Sequence, residues 1–291
     1  MIANALDSLL NRGASAPQAG WLPGARMLQT KRGTLRVYDS GGVGPVVLMV
    51  PDGPNVIEHH APVIALLAPH ARVVCFDMPG FGFSRPTMGY DHGLRAGAET
   101  VLAVMDALDV KEAVLHFSCA NGFYALAAAQ LAPQRIRRLL LCQTPALQAM
   151  RAWTQVNLPP SLRVAVLGQL INRVSRPKLA HIWYAAALPD KAMRPAFRET
   201  AQQALAHGGC FCLAGVAQGL ARAQQRDLEG VRQPVTLLWG DADKSHRHTQ
   251  ADSLAALVPQ AQIQHFPGCG HFPDLERPQQ YAEISLAALA A

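Results

Sequence analysis

Charge is scarce in this chain. Only 16% of its residues are Asp, Glu, Lys or Arg, against 50% hydrophobic, and that balance excludes a disordered or low-complexity protein. Aromatics are few as well, at 6%. The 26 basic and 20 acidic residues leave a net charge of +6, but they are spread out. The densest basic cluster, Arg135, Arg137 and Arg138, falls where a strand is about to begin. No nucleic-acid stripe is present, so no nucleic-acid partner is expected. No segment has the uninterrupted apolar length of a transmembrane helix, so no membrane span is expected. The start, Met1 to Asp7, lacks a basic region followed by an apolar stretch. Four of the six cysteines lie in or beside apolar strand-like or turn segments, which argues against a secreted disulfide framework. The expectation is a reduced, cytoplasmic protein. Neither a phosphate loop nor a dinucleotide fingerprint occurs, and no ligand set has metal spacing. His207, Cys210 and Cys212 form H-x-x-C-x-C, which is no standard zinc motif. No cofactor and no metal are expected.

Apolar material is plentiful, and 291 residues can hold one large α/β core with an insertion. A short helix (Ala5 to Leu10) leads into a Gly/Pro/Ala loop ending at Pro23. Strand-like runs follow at Met27–Thr30 and Thr34–Tyr38, split by a Lys31-Arg32-Gly33 turn. Pro45–Val50 and Arg72–Asp77 are continuous apolar runs of the kind buried on both faces of a parallel sheet. Helical patterns over Ala61–Leu67, Leu94–Leu108 and Ala120–Leu131 alternate with strands at Ala113–Phe117 and Arg138–Cys142. That alternation predicts an α/β sheet with crossover helices. From Pro145 to about Arg232 strands stop, and helical segments are broken by Pro159-Pro160, Pro177, Pro189 and Gly208-Gly209. Leu162, Val166, Leu170 and Val174 recur at helical spacing and predict one apolar face. Strands resume at Val235–Trp239 and Gln262–Phe266. The expected organisation is a core over residues 1–144, a helical cap over 145–232, and the rest of the core over 233–291.

In open parallel sheets the chemistry lies past the carboxyl ends of the strands. Five such ends are informative: Pro51-Asp52-Gly53-Pro54-Asn55, Asp77 to Ser84, Ser118-Cys119-Ala120-Asn121-Gly122, Gly240-Asp241-Ala242-Asp243, and Gly268-Cys269-Gly270-His271. Asp77–Ser84 resembles the D-x-P-G-x-G-x-S turn, Trp239–Asp243 the W-G-x-x-D motif, and Gly268–His271 the G-x-G-H motif of the α/β-hydrolase superfamily. The resemblance runs from about Met27 to the C-terminus and is to the capped subgroup, with the cap least matched. It implies an α/β-hydrolase fold: a mostly parallel sheet flanked by helices, with an inserted helical cap.

The family elbow reads strand, G-x-S-x-G-G, helix. Aligned without a gap, the serine position is taken by Cys119, with Ser118 one place early. The glycine before the nucleophile is replaced by Phe117, which is expected to crowd the elbow, and the one after by Asn121. The resemblance implies Cys119 as nucleophile, His271 as base and Asp243 as the acid that orients it, with Asp241 the competing acid. A helix N-terminus and a neighbouring imidazolium lower a thiol's pKa, which would favour the thiolate. The backbone N–H groups of Gly53 and Ala120 would form the oxyanion hole. Asp52 beside them helps only if it points away. His60, after this loop, and Ser118 are possible substrate contacts. Cys75 and Cys142 read as inert core.

The function expected is cleavage or transfer of an acyl group through an acyl-cysteine intermediate, on a hydrophobic ester or thioester that is a small molecule or carrier-bound. Two alternatives stay open: proton abstraction by the His–Asp pair without a nucleophile (a lyase or cofactor-free oxygenase), and a non-catalytic ligand-binding homologue.

Overall fold

A computed structural model describes residues 2–11 and 22–290; the expected Gly/Pro/Ala loop falls mostly outside the described residues. The strands in chain order are β1 (Arg26–Thr30), β2 (Gly33–Asp39), β3 (Val46–Val50), β4 (Arg72–Phe76), β5 (Phe81–Gly82), β6 (Ala113–Ser118), β7 (Ile136–Cys142), β8 (Cys210–Phe211), β9 (Val235–Gly240) and β10 (Gln262–Phe266). The helices are α1 (Ile2–Leu10), α2 (Ala61–Leu67), α3 (Leu94–Ala107), α4 (Asn121–Leu131), α5 (Leu147–Asn157), α6 (Pro160–Arg163), α7 (Leu167–Ala187), α8 (Arg194–Ala206), α9 (Leu213–Arg222), α10 (Pro273–Glu276) and α11 (Pro278–Ala290).

Eight strands form one sheet in the order β1-β2-β4-β3-β6-β7-β9-β10. β1 and β2 pair antiparallel, as do β2 and β4, and every later pair is parallel. The apolar runs explain the centre of the sheet. β6 is buried at every position, because α3 and α4 cover one face while α2 and α11 pack on the other. Parallel strands covered on both faces have no solvent side to alternate toward.

Helices α5 to α9 are inserted between β7 and β9. Three expectations for this segment need correction. Strands do not stop there: β8 pairs antiparallel with β5, so the insertion is tied to the Asp77–Ser84 turn. Pro177 does not end a helix but lies inside α7, although an interior proline removes one N–H from the ladder and crowds the carbonyl four residues earlier. The apolar face does not form either. Leu162 is buried, but Val166, Leu170 and Val174 are 37%, 46% and 84% exposed. Val166 has φ +71°, which turns the chain between α6 and α7 and separates buried Leu162 from Leu170 and Val174, which share an exposed face of α7. In addition, α1 packs on α7 and α9 rather than on the sheet.

Candidate active site

β6 runs into α4 through Cys119, whose φ is +53°. A side chain at positive φ costs about 1–3 kcal/mol and persists only where its surroundings impose it. Here the Cys119 N–H donates to the Cys142 carbonyl (2.8 Å), and the Cys119 carbonyl accepts from the Thr144 hydroxyl (3.0 Å) and the Gly122 N–H (3.1 Å). Gly122 has no room for a side chain, since a Cβ would lie 2.2 Å from Thr144 Oγ1. Phe117 does not crowd this turn. Its side chain is fully buried and meets Phe76 edge-on, with ring centroids 6.3 Å apart.

The elbow opens into a cavity of about 190 Å³, bounded by Asp52, Gly53, Cys119 and Ala120 at the sheet edge and by residues of α5, α7 and α9 above. Gly53 also permits no side chain, because a Cβ would come within 2.5 Å of the Phe81 ring. His60 and Ser118 do not line this cavity. His60 is buried against Asp274, Nε2 to Oδ2 3.4 Å. Ser118 is the last residue of β6, in register with Cys142 of β7, and its side chain bonds to that cysteine. Strand alternation turns Ser118 away from the cavity, whereas His60 ends the short 3-10 helix Ile57–His60 after the loop.

Asp243, past β9, and His271, past β10, meet with Nδ1 to Oδ2 at 2.6 Å, both buried. Asp243 also accepts from the Gln143 amide (2.8 Å), the Ser245 N–H (2.8 Å) and the Ser245 hydroxyl (2.6 Å). Burial alone would raise its carboxyl, but the His271 charge and these bonds hold it well below the usual range. Asp241 points elsewhere, to the exposed His265 (2.7 Å).

Asp52 does not point away. Its Oδ2 lies 3.2 Å from His271 Nε2, so one imidazole is held between two buried carboxylates. Burial disfavours a charged ring, yet Asp243, the facing Cys119 and Asp52 outweigh it, and His271 is held well above the ordinary histidine range. Burial raises the Asp52 carboxyl, with His271 pulling the other way. The Cys119 thiol is pushed up to about 11, first by burial and then by Asp52, against the opposing pull of His271 and the Ala120 N–H. The expected lowering of this thiol is therefore reversed: desolvation and a buried anion outweigh the helix terminus.

His246 escaped the sequence reading. Its ring stacks on His271 (5.1 Å between centroids) and on Trp153 (5.5 Å). One nitrogen of each imidazole and the Cys119 sulfur all lie within 4.8 Å of one another. The signal was present three residues past the acid, in Asp243-Lys244-Ser245-His246. The remaining cysteines are free and buried. Burial pushes Cys75 and Cys142 well above the ordinary thiol range. Cys210 and Cys212 are buried while His207 bonds back to the Gln203 carbonyl.

Comparison with known proteins adds the lineage. Residues 45–278 match the alpha/beta hydrolase fold family. The chain belongs to that family. It is 27% identical over 266 residues to a 2-hydroxy-6-oxo-2,4-heptadienoate hydrolase of Pseudomonas putida, 88% of this chain and 92% of that one. A pimeloyl-[acyl-carrier protein] methyl ester esterase of Nitrosomonas europaea is 26% identical over 226 residues, 75% of this chain and 85% of its own. In fold, this α/β hydrolase matches an enol-lactonase of Burkholderia xenovorans LB400 with a TM-score of 0.73 at 18% identity, covering 91% of this chain and 100% of that one. An esterase of Thermogutta terrifontis gives a TM-score of 0.70 at 22% identity, over 91% and 98%. The family and the two sequence relatives support a hydrolytic or acyl-transfer role. No helix among the described residues is long and apolar enough to cross a membrane.

Proposed function

We propose that this α/β hydrolase cleaves or transfers acyl groups through an acyl-cysteine formed on Cys119. The observation that carries the reading is Cys119 at positive φ on the strand–helix turn, beside the cavity and facing the paired His271 and Asp243. The thiolate form of Cys119, its proton lost to solvent, attacks the substrate carbonyl beside the His271 imidazolium, and a C–S bond forms. The two carboxylates on the ring keep that imidazolium in place, and the N–H groups of Ala120 and Gly53 hold the oxyanion. The carbonyl–leaving group bond then breaks, and the leaving group collects the proton from His271. Water or another nucleophile, deprotonated by His271, releases the acyl group from sulfur.

The cavity also supports a substrate class. Its lining includes Met150, Trp153, Leu179, Trp183 and Leu220, and no Lys or Arg among the described residues contributes to it. Among the described residues the one ionisable carboxyl in the lining is that of Asp52. A neutral, apolar acyl ester or thioester fits such walls, whereas a carboxylate-bearing substrate would meet like charge with no counter-ion. The Nitrosomonas relative's name keeps a carrier-bound ester among the candidates.

A second reading, proton abstraction by His271 and Asp243 without a nucleophile, is favoured by one observation, the thiol standing at about 11. Turnover of neutral thioesters by the wild type, Cys119→Ala and His271→Ala separates the two. The proposal expects both variants to lose about 10³-fold or more in kcat/KM. Activity kept in Cys119→Ala but lost in His271→Ala would replace it with the second reading.

A further inference from the structure

Beyond this reading, the geometry points to a binding site for one thiophilic divalent cation of the zinc class, built from Cys119 Sγ, His246 Nε2 and His271 Nε2 with Asp52 as an oxygen ligand. Each imidazole is held as a metal-binding imidazole is held, by its other nitrogen. The Thr249 hydroxyl donates to the His246 carbonyl at 2.8 Å, so its oxygen receives the His246 Nδ1 proton at 2.7 Å. That fixes the tautomer and leaves a lone pair on His246 Nε2. This nitrogen is buried and has no hydrogen-bond partner among the described residues. His271 is oriented in the same manner by Asp243 on Nδ1, while Nε2 faces Asp52.

Charge and reach agree with this. Asp52 and Asp243 are two buried carboxylates around one imidazolium, and a divalent cation takes over the charge of the two protons it displaces. Zinc holds sulfur at about 2.3 Å and imidazole nitrogen at about 2.0–2.1 Å, so bound donors stand about 3.5 Å apart. One nitrogen of each imidazole and the Cys119 sulfur already lie within 4.8 Å of one another, and closing that gap is within the reach of ring rotations. The donor set of one thiolate, two imidazoles and one carboxylate suits zinc, or cobalt(II) as its probe. The ion replaces the thiol proton and the His271 Nε2 proton, which leave to solvent; nothing is oxidised or reduced. A bound ion occupies the proposed nucleophile and base together, so the site acts as a reversible off-switch. The sequence concealed it because the ligands come from loops after four different strands.

The test is titration of chelator-treated protein with Co²⁺ in thiol-free buffer, followed by absorption spectroscopy. One equivalent is expected to bring up a thiolate-to-cobalt charge-transfer band and the strong visible bands of a four-coordinate ion. The charge-transfer band is expected to vanish in Cys119→Ser. Affinity is expected to fall at least tenfold in both His246→Ala and His246→Gln, the second guarding against a packing defect under Trp153. Zn²⁺ should bleach the cobalt bands and protect Cys119 from iodoacetamide. A missing charge-transfer band, or one that survives Cys119→Ser, overturns the site. The spectra need no substrate. An acyl adduct without the cobalt band would sink the metal site and leave the acyl-cysteine standing, and the reverse result would do the opposite.

Discussion

Asp52→Asn removes one buried carboxylate from the site while keeping its size and its place on the loop. In the wild type the Cys119 thiol stands at about 11, so at pH 8 only about one thiol in a thousand is ionised, at tenfold per pH unit. Two effects of the substitution oppose each other. Loss of Asp52 relieves direct repulsion of the thiolate, and it also removes a carboxylate that keeps His271 positive. Among the influences on the thiol, the Asp52 charge ranks behind burial but ahead of the His271 charge, and Asp243 still holds the ring positive, so relief of repulsion wins. A net fall of about one unit means about tenfold more thiolate at pH 8, worth about 1.4 kcal/mol. The assay is the rate of Cys119 alkylation by iodoacetamide between pH 6 and 11.5, read by peptide mass. The wild-type profile should rise toward a midpoint near 11, and the variant's should lie about one unit lower. A midpoint that stays in place or moves upward would refute the electrostatic ordering of the site.

Three further outcomes follow from the same structure. Gly122→Ala places a Cβ 2.2 Å from Thr144 Oγ1; it should lower urea stability by about 1–3 kcal/mol, and adding Thr144→Ala should recover part of that loss. Asp7 is raised from 3.8 to about 6, chiefly by burial, so the native state keeps a proton that the unfolded chain has lost. This contribution is intact below the unfolded value and is lost as pH rises through the folded one, a cost of up to about 3 kcal/mol by pH 8. Asp7→Asn should therefore be more stable than wild type at pH 8, with the difference closing toward pH 4 in urea denaturation; an advantage that did not change with pH would contradict the burial argument. For substrates, a neutral acyl thioester should exceed its counterpart of equal length with a terminal carboxylate by at least about tenfold in kcat/KM, and equal rates would mean that Asp52 does not face the acyl group.

The sheet was legible because the structure buries the same apolar runs that the sequence displays. β3, β4, β6 and β9 begin and end within a residue or two of their predicted bounds. Strand-end motifs located the loops that carry Asp52, Cys119, Asp243 and His271. What those side chains do there was only partly legible. Whether Asp52 turns toward or away from His271 depends on how the loop after β3 lies beside the one after β10, and no local pattern encodes that. His246 required a contact across the same gap. In the insertion, Val166 looked like one position of a continuous helical face. Its positive φ starts a new helix there, and periodicity cannot see a break that no proline or glycine marks at that residue. β8 is two residues long and exists only because Phe81 and Gly82 of β5 offer it a partner.

The account turns on the sulfur of Cys119, and the most direct test is intact mass after brief incubation with activated acyl thioesters. Wild type, Cys119→Ala and Ser118→Ala are treated in parallel. The account predicts a gain equal to the acyl group in wild type and in Ser118→Ala, mapping to the Cys119 peptide, and no gain in Cys119→Ala. A gain that persists in Cys119→Ala and disappears in Ser118→Ala would contradict it.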